Sequence, residues 1–184
     1  MKELNASYPE LEKNPGKRWP LASLTKLMTA VIAYEKLELG SRVRVGESAI
    51  AADGDAGAFQ SGEVFTVRDL LAAALIVSSN AAAMALSYSY GYPEFIDAMQ
   101  LKAAALAMKQ TTFADPTGLS VLNQSTLNDL EKLVEYILKE RLEIFSLTAE
   151  PGVYITELIS GVKRFIPTNN RFAGRSEFLG GKTG

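Results

Sequence analysis

The 184-residue chain has the length of one ordinary domain, and with 47% hydrophobic and 22% charged residues it has the composition of a globular protein with a substantial core. Its formal net charge of −2 and its scattered basic residues give no electrostatic reason to expect nucleic acid or an anionic membrane as a partner. It contains no histidine and no cysteine, which excludes a Ser-His-Asp triad, a thiolate nucleophile, a disulfide and a Cys/His zinc site.

A hydrolase of this composition that forms a covalent intermediate must use serine or threonine as its nucleophile, activated by lysine, tyrosine or a carboxylate. The N-terminal stretch "MKELNASYPELEKNPGK" is too polar for a secretory signal. The longest apolar run, "LLAAALIV" (70–77), is far shorter than the roughly 18 residues that span a bilayer. We therefore expect either a mature form or a chain from which a leader has been removed.

The first predicted helix follows a turn-rich entry, "NPGKRWP", in which Pro20 suits the first turn of a helix. Apolar residues then recur at helical spacing as far as Leu39, and Gly40 ends the helix. After it, "RVRV" (42–45) predicts a short strand and "ADGDAG" (52–57) predicts a loop.

A capping box opens the next helix, because Thr66 precedes Asp69 by three residues at the start of an apolar stretch, 67–77. A further helix is predicted from about Ala81 to Tyr88. The alanines of these two segments are best interpreted as small side chains that let two helices approach closely in the core.

The segment 92–108 predicts another helix, and "DPTGL" (115–119) predicts a turn from its residue chemistry. Thr126 and Asp129 repeat the capping pattern and begin a helix that runs through Lys139.

The pattern changes after Pro151. "VYITELI" and "VKRFIPTNN", joined around Ser160 and Gly161, alternate with period two and predict a hairpin, and the terminal "FLGGKTG" predicts one edge strand. The chain is therefore predicted to be a helix-dominated body with a few strands near its C-terminal end.

Candidate chemistry begins with Ser23 and Lys26. On a helix, residues three apart share a face, so the two side chains can reach each other, and burial with a second positive charge nearby would give lysine the neutral form that a base requires. The S-x-x-K pattern alone is weak, since roughly one copy is expected in any chain of this length. A second copy, Ser160 and Lys163, falls in the predicted hairpin, where residues three apart face opposite sides.

Two other polar groups strengthen the case. "SSN" (78–80) lies between two apolar helices, where it either caps a helix or projects a hydroxyl and a carboxamide into a cleft. "KTG" (182–184) ends the chain, and chance would place that triplet in only a few per cent of sequences of this size.

The order S-x-x-K, S-x-N and K-T-G resembles the signature of the penicillin-recognising serine enzymes. The chain is similar to the low-molecular-mass penicillin-binding proteins, the serine D-alanyl-D-alanine carboxypeptidases and endopeptidases. The resemblance extends from about Glu12 to Gly184 through "EKNPGKRWPLASLTKLMTA", "SGEVFTVRDLLAAALIVSSNAAA", "FADPTGLS" and "GGKTG". It implies an α+β fold of the β-lactamase/transpeptidase type.

The resemblance also implies roles for individual residues. Ser23 would attack the carbonyl between two D-alanines of a peptidoglycan stem peptide and form an acyl-enzyme, and Lys26 would take its proton. Ser78 would relay a proton to the leaving amine, with Lys182 lying against it.

On the substrate side, Asn80 would hold the amide of the peptide and help to orient Lys26. Lys182 and Thr183 would recognise the terminal carboxylate of the substrate or of a β-lactam antibiotic, beside Gly184. The family implies no cofactor, no metal and no nucleic acid, and an extracytoplasmic location.

The resemblance has gaps at both ends. The family's sheet has five antiparallel strands, two of them before the S-x-x-K helix and two after the K-T-G strand, whereas here only a short segment precedes Arg18 and the sequence stops at Gly184. We therefore expect one incomplete catalytic domain, with a helical subdomain at about 41–150 and remnants of the sheet subdomain at both ends.

Two consequences are expected from this interpretation. The backbone N–H of Ser23 would be one oxyanion donor, and the second would come from the residue after Gly184, a loss that typically costs ~10²–10³ in rate. Without neighbouring strands, Lys182 and Thr183 would not be held in place.

The neighbouring blocks are interpreted as structural. Phe113, Pro116, Gly118 and Leu119 are expected to shape a loop that packs under the site, and Trp19 is expected to lie in the core.

Two alternatives stay open. One is a β-lactamase or esterase on the same scaffold, although no E-x-x-x-N-like stretch of class A β-lactamases occurs between Asn80 and Lys182. The other is a truncated, non-catalytic module that binds peptidoglycan or a partner protein.

Overall fold

Helices make up most of the regular structure in the computed structural model, which describes residues 13–54 and 56–183. The helices are α1 (Thr25–Lys36), α2 (Glu47–Ile50), α3 (Val67–Ile76), α4 (Asn80–Tyr90), α5 (Tyr92–Ala105), α6 (Leu127–Glu140) and α7 (Leu142–Ala149). A single 3-10 turn, Ala22–Leu24, leads directly into α1.

The strands within the described residues form two-stranded antiparallel ribbons instead of one continuous sheet. They are β1 (Trp19–Pro20), β2 (Arg42–Arg44), β3 (Val64–Thr66), β4 (Gln124–Ser125), β5 (Gly152–Thr156) and β6 (Lys163–Pro167). The pairs are β1 with β4, β2 with β3, and β5 with β6.

The core lies between α1, α3 and α4. Met28, Val31 and Ile32 of α1 are fully buried, and the alanines of α3 and α4 are buried where those two helices pack together. Small side chains let the two helix backbones approach closely, as the sequence predicted.

The N-cap bond of both predicted capping boxes is present. Thr66 Oγ1 accepts a hydrogen bond from the Asp69 amide at 3.0 Å, and Thr126 Oγ1 accepts one from the Asp129 amide at 3.2 Å. The predicted hairpin after Pro151 is confirmed as β5 and β6.

The predicted start and end of the first helix were wrong. Pro20 lies in β1 opposite Gln124 instead of in the helix, and α1 ends at Lys36. Trp19 is 59% exposed, so its assignment to the core was also wrong. The pairing of β1 with β4, which lies about a hundred residues away along the chain and has no local signal, explains the later start of the helix and the exposure of Trp19. At the other end, Leu37 has an extended backbone and so ends α1 before Gly40.

The β5–β6 hairpin is attached to β3 by the Glu157 carboxylate and by a backbone hydrogen bond from the Leu158 amide to the Val64 carbonyl at 2.8 Å. Glu157 accepts hydrogen bonds from the Ser160 amide at 2.5 Å, the Ser160 hydroxyl at 2.7 Å, the Val64 amide at 2.9 Å and the Ile159 amide at 3.0 Å. These bonds, the one from the Ser160 amide first, lower the pKa of Glu157 to about 2. Ser160 is thus engaged in the hairpin turn and does not form a pair with Lys163.

We expect Glu157→Gln to destabilise the protein at neutral pH. Because the folded pKa of about 2 lies below the ordinary 4.5, this stabilisation is complete above about pH 4.5 and is lost as the pH falls through about 2. Urea unfolding at pH 7 and at pH 3 should therefore show a larger difference between the two proteins at pH 7. An equal difference at both pH values would contradict this account of the hairpin.

Candidate active site

Ser23 lies in the 3-10 turn immediately before α1 and is half-buried. The turn continues into the helix, so Lys26 follows one turn later on the same side. The Lys26 ammonium donates a hydrogen bond to Ser23 Oγ at 3.3 Å. The predicted proximity of the two side chains is therefore present in the structure.

Lys26 is fully buried. Besides Ser23, its Nζ donates to Asn80 Oδ1 at 2.6 Å and to the Thr117 carbonyl at 2.8 Å. Its pKa is lowered to about 7, chiefly by burial and then by the positive charge of Lys182, while Asp115 acts in the opposite direction. A substantial fraction of Lys26 is consequently neutral near pH 7, which is the form that can accept a proton.

Both predicted roles of "SSN" are present, but they belong to different residues of the motif. Ser79 caps α4, because its Oγ accepts a hydrogen bond from the Ala82 amide at 3.2 Å. Ser78 has a positive φ of 63° in the turn between α3 and α4, and its hydroxyl accepts a hydrogen bond from Lys182 Nζ at 2.9 Å.

Asn80 is the first residue of α4 and connects two parts of the site. Its Oδ1 accepts the bond from Lys26, and its Nδ2 donates to the carbonyl of Asp53. Both ends of the carboxamide are therefore engaged within the protein, an arrangement that fixes the orientation of Lys26.

The segment 178–183 forms no strand, so the predicted edge strand was wrong. The expectation that Lys182 would be loosely held was also wrong, because the Gly181 amide donates to Thr148 Oγ1 at 2.9 Å. Gly180, with a φ of 132°, lies so close to α7 that an added Cβ would be 2.1 Å from the Phe145 carbonyl. Sequence analysis did not identify α7, and that helix supplies the support.

The pKa of Lys182 is shifted as well. Burial lowers its pKa to about 8, so it is largely an ammonium at pH 7. Thr183 is exposed, and its Oγ1 donates to Asn169 Oδ1 at 3.3 Å. Gly184, the last predicted site residue, lies outside the described residues.

The "DPTGL" loop makes a contribution that sequence analysis missed. It was expected to pack beneath the site, and Phe113 and Pro116 are buried, whereas Leu119 is exposed. Its Thr117 carbonyl also accepts directly from Lys26. Gly118 has a φ of 91°, and an added Cβ would be 1.8 Å from the Ala22 carbonyl of the turn that carries Ser23. The sequence analysis explained this glycine as part of a turn, so no local signal indicated the contact.

Taken together, these contacts place a partly neutral amine beside one hydroxyl and an ammonium beside another. The charge of Lys182 acts on Lys26, so the two pairs belong to one electrostatic environment. A hydroxyl next to a neutral amine is an activated nucleophile, and a nearby ammonium suits a carboxylate ligand. Among residues 13–54 and 56–183, no group of three or more acidic side chains could hold a metal ion, and no helix is long and apolar enough to cross a membrane.

Comparisons with known proteins identify relatives of this chain. The chain is 38% identical over 136 residues to a D-alanyl-D-alanine endopeptidase of Escherichia coli, an alignment that covers 72% of this chain and 44% of that protein. It is 33% identical over 150 residues to the D-alanyl-D-alanine carboxypeptidase DacF of Bacillus subtilis, covering 77% of this chain and 38% of that protein.

A solved structure shows the same fold. The D-alanyl-D-alanine carboxypeptidase of Mycobacterium tuberculosis matches with a TM-score of 0.85 and 28% identity, over 94% of this chain and 66% of that one. The predicted fold class, β-lactamase/transpeptidase-like and dominated here by helices, is confirmed.

The chain spans less than half the length of the two curated relatives. The family model described as D-alanyl-D-alanine carboxypeptidase matches residues 11–184. On this match, which includes every residue of the site described above, the chain belongs to the D-alanyl-D-alanine carboxypeptidase family of serine peptidases.

Proposed function

We propose that the protein is a serine-type D-alanyl-D-alanine peptidase that acts on peptidoglycan stem peptides through an acyl-enzyme on Ser23. The observation that carries this proposal is the buried Lys26, which lies 3.3 Å from Ser23 Oγ and has a pKa lowered to about 7. It gives a chain without histidine a base of the right strength beside a hydroxyl.

In the proposed reaction, Ser23 Oγ attacks the carbonyl carbon between two D-alanines while Lys26 takes the hydroxyl proton. The backbone N–H of Ser23 faces the developing oxyanion. The C–N bond then breaks, and the departing amine receives, through the Ser78 hydroxyl, the proton that Lys26 had accepted, so that an ester on Ser23 and a neutral Lys26 remain. Water hydrolyses that ester and restores the free hydroxyl.

Substrate recognition is proposed to fall to the C-terminal segment. The Lys182 ammonium, with Thr183 beside it, would bind the terminal carboxylate of the stem peptide. The contacts of Asn80 with Lys26 and with Asp53 support its orienting role more strongly than direct binding of the substrate amide. A β-lactam antibiotic carries a comparable carboxylate and would acylate Ser23 by opening its ring. The proposed substrate implies an extracytoplasmic location.

The experiment that tests this proposal measures the product that cleavage releases, which is D-alanine from a stem pentapeptide and a separated stem peptide from a crosslinked dimer. The protein is incubated with a stem pentapeptide and, separately, with a crosslinked peptide dimer, which distinguishes carboxypeptidase from endopeptidase action. We expect release from at least one of them, and none after Ser23→Ala. Ser160→Ala is the matched control, because Ser160 begins the other S-x-x-K pattern and lies in the hairpin, and it should leave release unchanged. A folded chain that releases nothing would favour the non-catalytic binding module.

The pH dependence of the acylation rate should show the titration of both Lys26 and Lys182. Neutral Lys26 is required, so the rate should rise through about pH 7, and it should fall as Lys182 loses its proton above about pH 8. Because the charge of Lys182 lowers the pKa of Lys26, Lys182→Met should move the rising limb to higher pH. A rising limb that stays in place would show that the two amines are not coupled.

A further inference from the structure

The loop behind Lys26 is organised around one carboxylate. Asp115 Oδ1 accepts hydrogen bonds from the Thr117 amide at 2.6 Å, the Thr117 hydroxyl at 2.5 Å and the Gly118 amide at 2.8 Å. Its Oδ2 accepts from the Ser120 amide at 2.8 Å and from Asn123 Nδ2 at 3.1 Å. Five donors thus converge on a single side chain, many more than a simple turn needs.

These bonds fix the peptide that contacts Lys26. The peptide between Thr117 and Gly118 donates its N–H to Asp115 Oδ1 at 2.8 Å, and its carbonyl, that of Thr117, accepts from the Lys26 ammonium at 2.8 Å. The loop is also attached to α1, since Thr29 Oγ1 donates to the Pro116 carbonyl at 2.6 Å. A rotation of the Thr117–Gly118 peptide is therefore opposed both at its N–H and at its C=O.

The charges around Lys26 come from different parts of the chain. Lys182 faces it from the C-terminal segment, and Asp115 faces it from the loop. Tyr92, at the start of α5, lies near Asp115, and burial raises the pKa of its phenol, which stays neutral. Asp115 is therefore the negative charge in this environment that offsets burial and Lys182.

Asp115 is ionised over the whole range in which Lys26 titrates. Burial acts to raise the pKa of this carboxyl, but the hydrogen bonds from Thr117, Ser120 and Gly118 outweigh it and hold the pKa below its ordinary value. Its charge is thus a fixed part of the surroundings of Lys26.

We propose that Asp115 is a positioning residue for Lys26, whose carboxylate fixes the Thr117 carbonyl against the lysine and so sets the pH range in which Lys26 and Ser23 react. The proposal rests on the proposed function for its catalytic meaning. Its physical content, control of Lys26 by a side chain that does not touch it, can be measured without catalysis.

The test follows Lys26 directly by NMR titration of protein labelled with ¹³C at lysine Cε, the signal being assigned by its absence in Lys26→Met. Asp115→Asn removes the charge and keeps the shape of the side chain. We expect the titration midpoint of Lys26 to fall by roughly half a pH unit or more, about a threefold change in the neutral fraction below the midpoint. The rising limb of penicillin acylation should move by the same amount.

Three further variants make the result specific. Asp115→Glu keeps the charge and should leave the midpoint close to wild type. Asp115→Ser, a second neutral residue that still offers the turn an acceptor, should lower it. Glu157→Gln is the matched control, because Glu157 also accepts from turn amides but lies in the hairpin, and it should lower stability without moving the midpoint.

An unchanged midpoint in Asp115→Asn, or an equal shift in Glu157→Gln, would overturn the proposal. Failure of both neutral variants to fold would overturn it as well, because Asp115 would then have a purely structural role. If Lys26 shifts as expected but penicillin labels none of these proteins, the proposed function fails and the control of Lys26 by Asp115 stands.

Discussion

Replacing Lys26 by methionine is expected to reduce the rate of penicillin acylation by roughly 10²–10⁴. Methionine fills a similar volume in this fully buried position but has no amine to take the Ser23 proton. It also leaves Asn80 Oδ1 and the Thr117 carbonyl without their donor, so some loss of thermal stability accompanies the substitution. The rate should therefore be measured with fluorescent penicillin well below the melting temperature of the variant.

Lys163→Met is the control for this experiment. Lys163 stands three residues after a serine, as Lys26 does, but it is exposed on β6. Its substitution should leave acylation unchanged. Wild-type acylation in a folded Lys26→Met protein would mean that another group activates the serine.

Gly118→Ala is expected to destabilise the protein by at least about 2 kcal/mol and to reduce acylation at least about tenfold. The residue has a φ of 91°, and a Cβ there would be 1.8 Å from the Ala22 carbonyl. The added Cβ would meet a backbone carbonyl, which cannot rotate away as a flexible side chain could. The loop must therefore move away from the turn that carries Ser23. That movement would also withdraw the Thr117 carbonyl from Lys26.

Gly161→Ala is the control that separates the effect of the steric clash from the effect of a positive φ. Gly161 has a φ of 73° and no atom within 4 Å of an added Cβ. It should therefore incur only the conformational cost of roughly 1–2 kcal/mol. The free energy of unfolding and the acylation rate are measured for both variants. Equal effects of the two substitutions on acylation would show that the contact between Gly118 and Ala22 does not support the site.

Local sequence signals predicted local structure well. Thr66 and Thr126 begin helices as their capping patterns require, and the alternation after Pro151 produces a hairpin. The proximity of Ser23 to Lys26 follows from helical geometry alone. In each case the responsible residues lie within a few positions of one another, so no tertiary contact is needed to interpret them.

Long-range contacts were the source of the errors. Trp19 and Pro20 pair with a strand about a hundred residues away, and the support of Gly181 by Thr148 depends on the docking of α7. Nothing near those residues in the sequence indicates their partners. The family resemblance supplied the order of the motifs, but the contacts of Thr117 and Asp115 became visible only once the chain was folded.

The central claim is that Ser23 is the nucleophile of a site to which Lys26 and Lys182, from opposite ends of the chain, both contribute. The most direct test is mass spectrometry of the folded protein after treatment with penicillin, followed by peptide mapping of the adduct. The account predicts one penicillin-derived mass on the peptide that contains Ser23, and no adduct after Ser23→Ala. An adduct on another serine, or a folded protein that carries none, would contradict it.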